Sequence, residues 1–177
     1  MYEGKLVRLR AITREDLPRY VAWINDWEVA RHLEFFRPVN LEGEERWYNN
    51  MLESADDNFV FAIETFEGRH IGSVGLHQVH SRHRSAMMGI FIGDKEHWDR
   101  GYGSDAIRLM IRYGFEMLNL NRIWLQVFEF NERAIRCYEK CGFRREGTLR
   151  QAHYSEGQYC DVRVMGILRG EYVRSDE

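Results

Sequence analysis

Apolar residues recur with a period near two in some stretches of this chain and near 3.6 in others, and the switches between the two rhythms predict its elements. Residues 6–10 alternate apolar and basic side chains, as a strand does. Leu17, Val21 and Ile24 then share a helical face, and Pro18, tolerated in a first turn, places the start of that helix near Asp16. Residues 25–40 are rich in aromatic and charged side chains without a clean period, a composition typical of functional loops. Asn40 is a good N-cap for a helix running to Glu53, expected to bury Leu41, Trp47, Met51 and Leu52. Strands follow at hairpin spacing over residues 58–64, 69–80 and 85–92, with Phe66, Glu67 and Gly68 in the first turn.

The stretch Trp98-Asp99-Arg100-Gly101-Tyr102-Gly103-Ser104-Asp105-Ala106 opens an amphipathic helix predicted over residues 104–118. Its buried face would carry Ala106, Ile107, Met110, Ile111, Gly114, Met117 and Leu118. Gly101 and Gly103 allow close backbone approach and angles closed to other residues. Free N–H groups at the helix start, the positive end of its dipole and the charge of Arg100 together suit a pyrophosphate. Ile123, Leu125 and Val127 then alternate with Trp124, Gln126 and Phe128 in a strand. Asn131 caps a short helix that ends at Gly142, with Ala134, Ile135, Tyr138 and Cys141 on one face and Phe143 as the apolar residue after the glycine. A last pair of strands, residues 144–153 and 158–169, turns around Gly157. Helices against a largely antiparallel sheet with one helical crossover make an α+β domain.

Neither a linker nor a repeat divides the 177 residues, so one domain is expected. A net charge of −3 leaves no basic footprint for nucleic acid, and no apolar run approaches membrane-spanning length. Residues 1–5 lack the layout of a secretory signal, which together with an odd count of 3 cysteines points to a reducing, cytoplasmic setting. Cys137 and Cys141 read as buried structural thiols, and His77, His80 and His83 do not converge as metal ligands, so no metal is expected. Exposed edges of an antiparallel sheet suit a homodimer.

The two glycine-bearing segments resemble the GNAT superfamily of acetyl-CoA-dependent N-acetyltransferases. Its signature is glutamine or arginine, two residues, glycine, one residue, then glycine or alanine. Residues 98–103 match it with Trp98 in the first place, as in the branch that includes the ribosomal-protein N-terminal acetyltransferases. Glu146-Gly147-Thr148-Leu149-Arg150, Gly157 and Asp161 look like that branch too. The resemblance implies a GNAT fold: a mixed, mostly antiparallel seven-stranded sheet with flanking helices and splayed central strands. The pantetheine arm of acetyl-CoA would enter between the strands near Ile90 and Val127. Ile90, Phe91 and Ile92 would offer backbone groups to it, and Arg100, Gly101, Tyr102, Gly103 and Ser104 would hold the pyrophosphate. Asn131 would bond the pantetheine or a water, or simply cap its helix.

Acetyl transfer to an amine needs a neutral amine, a polarised carbonyl and a proton for the leaving thiolate, with the amine attacking directly. By resemblance Tyr138 supplies that proton. The base stays open among Glu34, His77 and Glu129, of which His77 has the ordinary pKa best suited to neutral pH. His153, Tyr154, Tyr159 and Asp161 would wall the acceptor site. Polyamine acetyltransferases of this branch carry acidic residues along the third and fourth strands, where this chain has Gly75, Gln78, Met87 and Met88. Protein or peptide N-terminal α-amines are therefore the expected acceptors. A small amine (amino sugar, antibiotic or polyamine) is the alternative, and a non-catalytic coenzyme A sensor is a further one.

Overall fold

Ala62 and Ile63 are adjacent and fully buried, yet they pack into different hydrophobic clusters, as neighbours in a strand must when both faces of a sheet are covered. The computed structural model describes residues 2–54 and 57–173. Its strands are β1 (Val7–Arg10), β2 (Phe59–Thr65), β3 (His70–His80), β4 (Ser85–Ile92), β5 (Arg122–Phe128), β6 (Arg144–Ser155) and β7 (Gln158–Leu168). They form one seven-stranded sheet in the order β1-β2-β3-β4-β5-β7-β6. Every neighbouring pair is antiparallel except β4 and β5, which are parallel. The helices are α1 (Leu17–Ile24), α2 (Trp27–Ala30), α3 (Leu41–Glu53), α4 (Tyr102–Arg112) and α5 (Glu132–Lys140). α4 makes the crossover between the parallel strands and packs Ala106, Ile107 and Met110 with Ile63, while Leu17, Tyr20 and Ile24 of α1 cover the other face at Ala62. Among the described residues no helix is long and apolar enough to cross a membrane.

A buried polar cluster ties α1 to the sheet. Arg10 donates to both oxygens of Asp16 at 2.8 Å and to Glu64 at 2.6 Å, and His70 Nδ1 lies 3.1 Å from Asp16. Burial opposes ionisation of Asp16, but the Arg10 and Thr13 hydrogen bonds and the His70 charge hold its pKa down to about 2.

Four sequence expectations need correcting. α3 leaves Leu41 and Leu52 exposed and Trp47 only half covered, against Tyr20 of α1, because the face it turns to α1 also carries Tyr48 and Met51 with Glu44, which is only 6% exposed. The helix predicted from Ser104 begins at Tyr102, with Gly101 as its left-handed N-cap at φ +88°. That helix also widens into a π turn over Tyr113–Met117, where Leu118 N–H bonds to the Tyr113 carbonyl. There Gly114 approaches the sheet so closely that a Cβ would lie 2.8 Å from Ile123, and the wider turn carries Met117 out to solvent. β6 runs two residues past His153, to Ser155, on a largely exposed face.

Candidate active site

The site exists because two parallel strands part. β4 and β5 pair only where Ser85, Ala86 and Met87 meet Arg122, Ile123 and Trp124. Beyond that point β4 stays with β3 as far as Ile92, and β5 stays with β7 as far as Phe128. The gap leads into a cleft of about 630 Å³ that crosses the sheet from α5 to α3. Residue directions alternate along a strand, and Gly93 N–H bonds to Ile71 of β3. Ile90 and Ile92 therefore face the gap, while the Phe91 backbone faces β3 and its side chain lines the cleft. Unpaired strand backbone of this kind can accept an extended amide chain as an added strand.

At the α4 end, Gly101, Gly103 and Ser104 line the cleft. Only Gly101 of the two glycines has a left-handed backbone. A Cβ on Gly103 would meet nothing of the protein nearer than Ile92 at 3.8 Å, so its bare Cα leaves a cradle open toward the cleft. The Arg100 and Tyr102 side chains engage other protein groups. Arg100 is exposed and donates to the Glu96 carbonyl, and Tyr102 packs edge-on against His97. The cations that line the cleft are instead Arg133, Arg136 and Lys140 of α5. Their spacing of three and four residues places them on one helical face, a signal legible in the sequence. The Arg133 guanidinium sits over the Trp98 ring, and Trp98 Nε1 donates to the Ile92 carbonyl at 2.7 Å. Asn131 lines the cleft and also caps α5 by accepting from Ala134 N–H. Cys137 is a lining residue as well, half-buried rather than in the core, with its sulfur 3.1 Å from Ser104 Oγ. Helix N–H groups, a bare glycine and cations on one side of a strand gap fit a pyrophosphate followed by a pantetheine arm.

Tyr138 lines the middle of the cleft, its ring edge-on to Phe143. α5 ends just beyond it in a Schellman turn, with Phe143 N–H bonded to the Tyr138 carbonyl, Gly142 N–H to that of Glu139, and Gly142 at φ +98°. Burial pushes the Tyr138 phenol well above its ordinary pKa, so it stays protonated at neutral pH. At the far end lie His77 and Glu34, both lining the same cleft. The His77 ring lies across glycines. Gly75 and Gly89 face each other on β3 and β4, and Cβ atoms there would stand 3.1 and 3.4 Å from Nε2. Nδ1 is 3.2 Å from the Asn58 side-chain oxygen, and an N–H donated there leaves Nε2 as the acceptor. Burial lowers the His77 pKa, keeping the ring neutral. Glu129 falls outside the cleft and accepts from Arg163 at 2.6 Å. His153 stacks on Phe128 of the cleft wall, whereas Tyr154 and Tyr159 are exposed and Asp161 accepts from Gln151 N–H.

Residues 7–144 match the family described as acetyltransferase (GNAT) domain. The chain belongs to that family. It is an N-acetyltransferase that takes its acetyl group from acetyl-CoA. Among relatives of this GNAT acetyltransferase, the spermidine N(1)-acetyltransferase of Vibrio cholerae is 34% identical over 171 residues, covering 96% of each chain. The protein of that name from Escherichia coli K12 is 31% identical over 169 residues, covering 94% of this chain and 88% of the relative. A crystal structure of the Vibrio cholerae enzyme in complex with CoA and spermine superposes with a TM-score of 0.86 at 32% identity, covering 93% of this chain and 96% of the other. The splayed sheet of this acetyltransferase is thus the family's, and the Gly101–Ser104 loop and α5 cations lie where its cleft opens.

Proposed function

We propose that this acetyltransferase acetylates a small primary amine, with His77 taking the amine's proton and Tyr138 protonating the departing thiolate. Acetyl-CoA supplies the activated thioester. The N–H groups at the start of α4 and the side chains of Arg133, Arg136 and Lys140 hold its phosphates, and the Ile90 N–H orients the acyl end. The observation that carries the reading is that one cleft holds the His77 imidazole toward its acceptor end and the Tyr138 phenol at its centre, where burial favours the uncharged form of each. An alkylamine with a pKa near 10.4 needs about 4.6 kcal/mol to become neutral at pH 7, and an uncharged acceptor nitrogen such as His77 Nε2 lowers that cost by receiving the proton directly or through water. Glu34 lies at the cleft edge and attracts the ammonium form.

A small acceptor is better supported than the peptide α-amine expected from the sequence. The relatives above are named for spermidine, and one was solved with spermine. The β6–β7 turn also reaches over to α2, where Glu156 accepts from Trp27 Nε1 at 3.3 Å and Arg31 at 3.4 Å. Val29 and His32 of that same region line the cleft, so this bridge narrows the approach for a polypeptide. The test is release of free thiol from acetyl-CoA against matched concentrations of small amines and Ala- or Ser-initiated peptides. Small amines turned over at least tenfold more efficiently support the reading, and peptides ahead of every small amine sink it.

A further inference from the structure

We infer that the preferred acceptor is a monoamine with an aromatic or bulky apolar body, carrying one positive charge, rather than a polyamine. This rests on the acetyl-transfer reading above. The acceptor end is walled by Val29, Leu33, Trp47, Phe91 and Phe128, which offer a chain of apolar faces and no fixed charge. Trp47 lines the cleft and is 37% exposed, with its inner side set against buried Tyr20 of α1, ring centre to ring centre 5.9 Å. An apolar rim of that kind is suited to covering an aromatic substrate body.

The charge count at this end points the same way. Among the described residues lining the cleft, the carboxylates are Glu34 and Asp99, and Asp99 lies at the opposite end, 3.7 Å from Arg133. Glu34 is thus the one carboxylate placed to meet an ammonium at the acceptor end. Burial, with the nearby charges of Arg133 and Arg31, lowers the pKa of His32, so that neighbour is neutral. On the strands, Met87 faces His77 and Gly89 faces Gly75, so these paired positions add no carboxylate to the cleft wall. Each further ammonium drawn into such a cleft loses hydration without gaining a partner.

The test compares 2-phenylethylamine, propylamine and spermidine in the thiol-release assay, beside calorimetric titration of each amine into the CoA-bound protein. The expected result is a kcat/KM for 2-phenylethylamine at least tenfold above that for spermidine. Trp47→Ala, at a partly exposed position, should raise KM for 2-phenylethylamine at least fivefold more than it raises KM for propylamine. Glu34→Gln should raise KM for both monoamines. Spermidine equal to or ahead of 2-phenylethylamine, or an unchanged 2-phenylethylamine KM in Trp47→Ala, overturns the inference and leaves acetyl transfer to small amines standing. If CoA binds but no amine releases thiol, the acetyl-transfer reading fails. Calorimetry then decides the ligand preference: tighter 2-phenylethylamine than spermidine upholds it, and the reverse overturns it.

Discussion

The guanidinium carbon of Arg133 lies 4.1 Å from the centre of the Trp98 ring, a cation–π contact joining α5 to the loop before α4. Trp98 is fixed in turn by its bond to the Ile92 carbonyl at the end of β4. One side chain therefore links the strand gap, the glycine turn and the α5 cations.

Arg133→Met should keep part of the packing on Trp98 and remove the charge. Affinity for acetyl-CoA is expected to fall about threefold to tenfold, or roughly 0.6–1.4 kcal/mol, with a shallower dependence on salt. Calorimetric titration at two ionic strengths measures both. An unchanged affinity and salt slope would take Arg133 out of the phosphate site.

The two glycines of the turn should respond differently. At Gly101, φ is +88° and a Cβ would press on Leu6 at 3.3 Å, so Gly101→Ala should cost roughly 1–2 kcal/mol of stability and lower Tm by roughly 2–8 °C. Gly103 has ordinary helical angles and free space around it, so Gly103→Val should fold with little loss of Tm. Its branched side chain projects into the cradle and should weaken acetyl-CoA binding by at least about tenfold. Thermal melts paired with calorimetry separate the two effects.

Tyr138→Phe keeps the edge-on contact with Phe143 and removes the proton donor. The expected outcome is a fall in kcat of about 10²-fold with little change in KM for acetyl-CoA. Even at ordinary pKa values a phenol near 10 protonating a thiolate near 8.5 is uphill by roughly 2 kcal/mol. Burial raises the Tyr138 value further, so the role requires that the same apolar surroundings raise the thiolate too. Turnover that survives the substitution would reduce Tyr138 to a packing residue.

His77 is active as a base when neutral, and burial lowers its pKa below the ordinary 6.5. kcat/KM should therefore hold as pH falls toward 6.5 and decline below that value, as the ring gains a proton. His77→Gln should lower the rate and abolish this acidic limb. Asn58→Ala releases Nδ1 and should move the limb while leaving the melting temperature nearly unchanged, because Asn58 acts through the orientation of the ring. A pH profile identical to the unsubstituted protein's would remove His77 and Asn58 from catalysis.

Local rules made much of this protein legible in its sequence. The strand order along the chain, the caps at Asn40 and Asn131, the glycine terminator at Gly142 and the helix after the glycine turn all depend on neighbours within a few residues. The family resemblance added the splay of β4 from β5, which local pattern does not encode. The resemblance points to Tyr138 and Ser104, residue type points to His77 and Glu34, and all four line one cleft.

What the sequence left undecided depends on contacts between distant segments. The burial of Glu44 in place of Leu41 and Trp47 was set by how α3 docks on α1, and helical period gives a face without saying what it meets. The choice of Arg133, Arg136 and Lys140 over Arg100 required α5 and the glycine turn to be seen across the same gap. The pairing of Glu129 required Arg163, 34 residues away, to be found beside it. Likewise the orientation of His77 rests on Asn58, 19 residues earlier, and on glycines of two paired strands. Interactions within a turn or two of chain determine the elements, and tertiary packing alone decided which charges were paired, which aromatic rings faced water and which imidazole nitrogen meets the Asn58 oxygen.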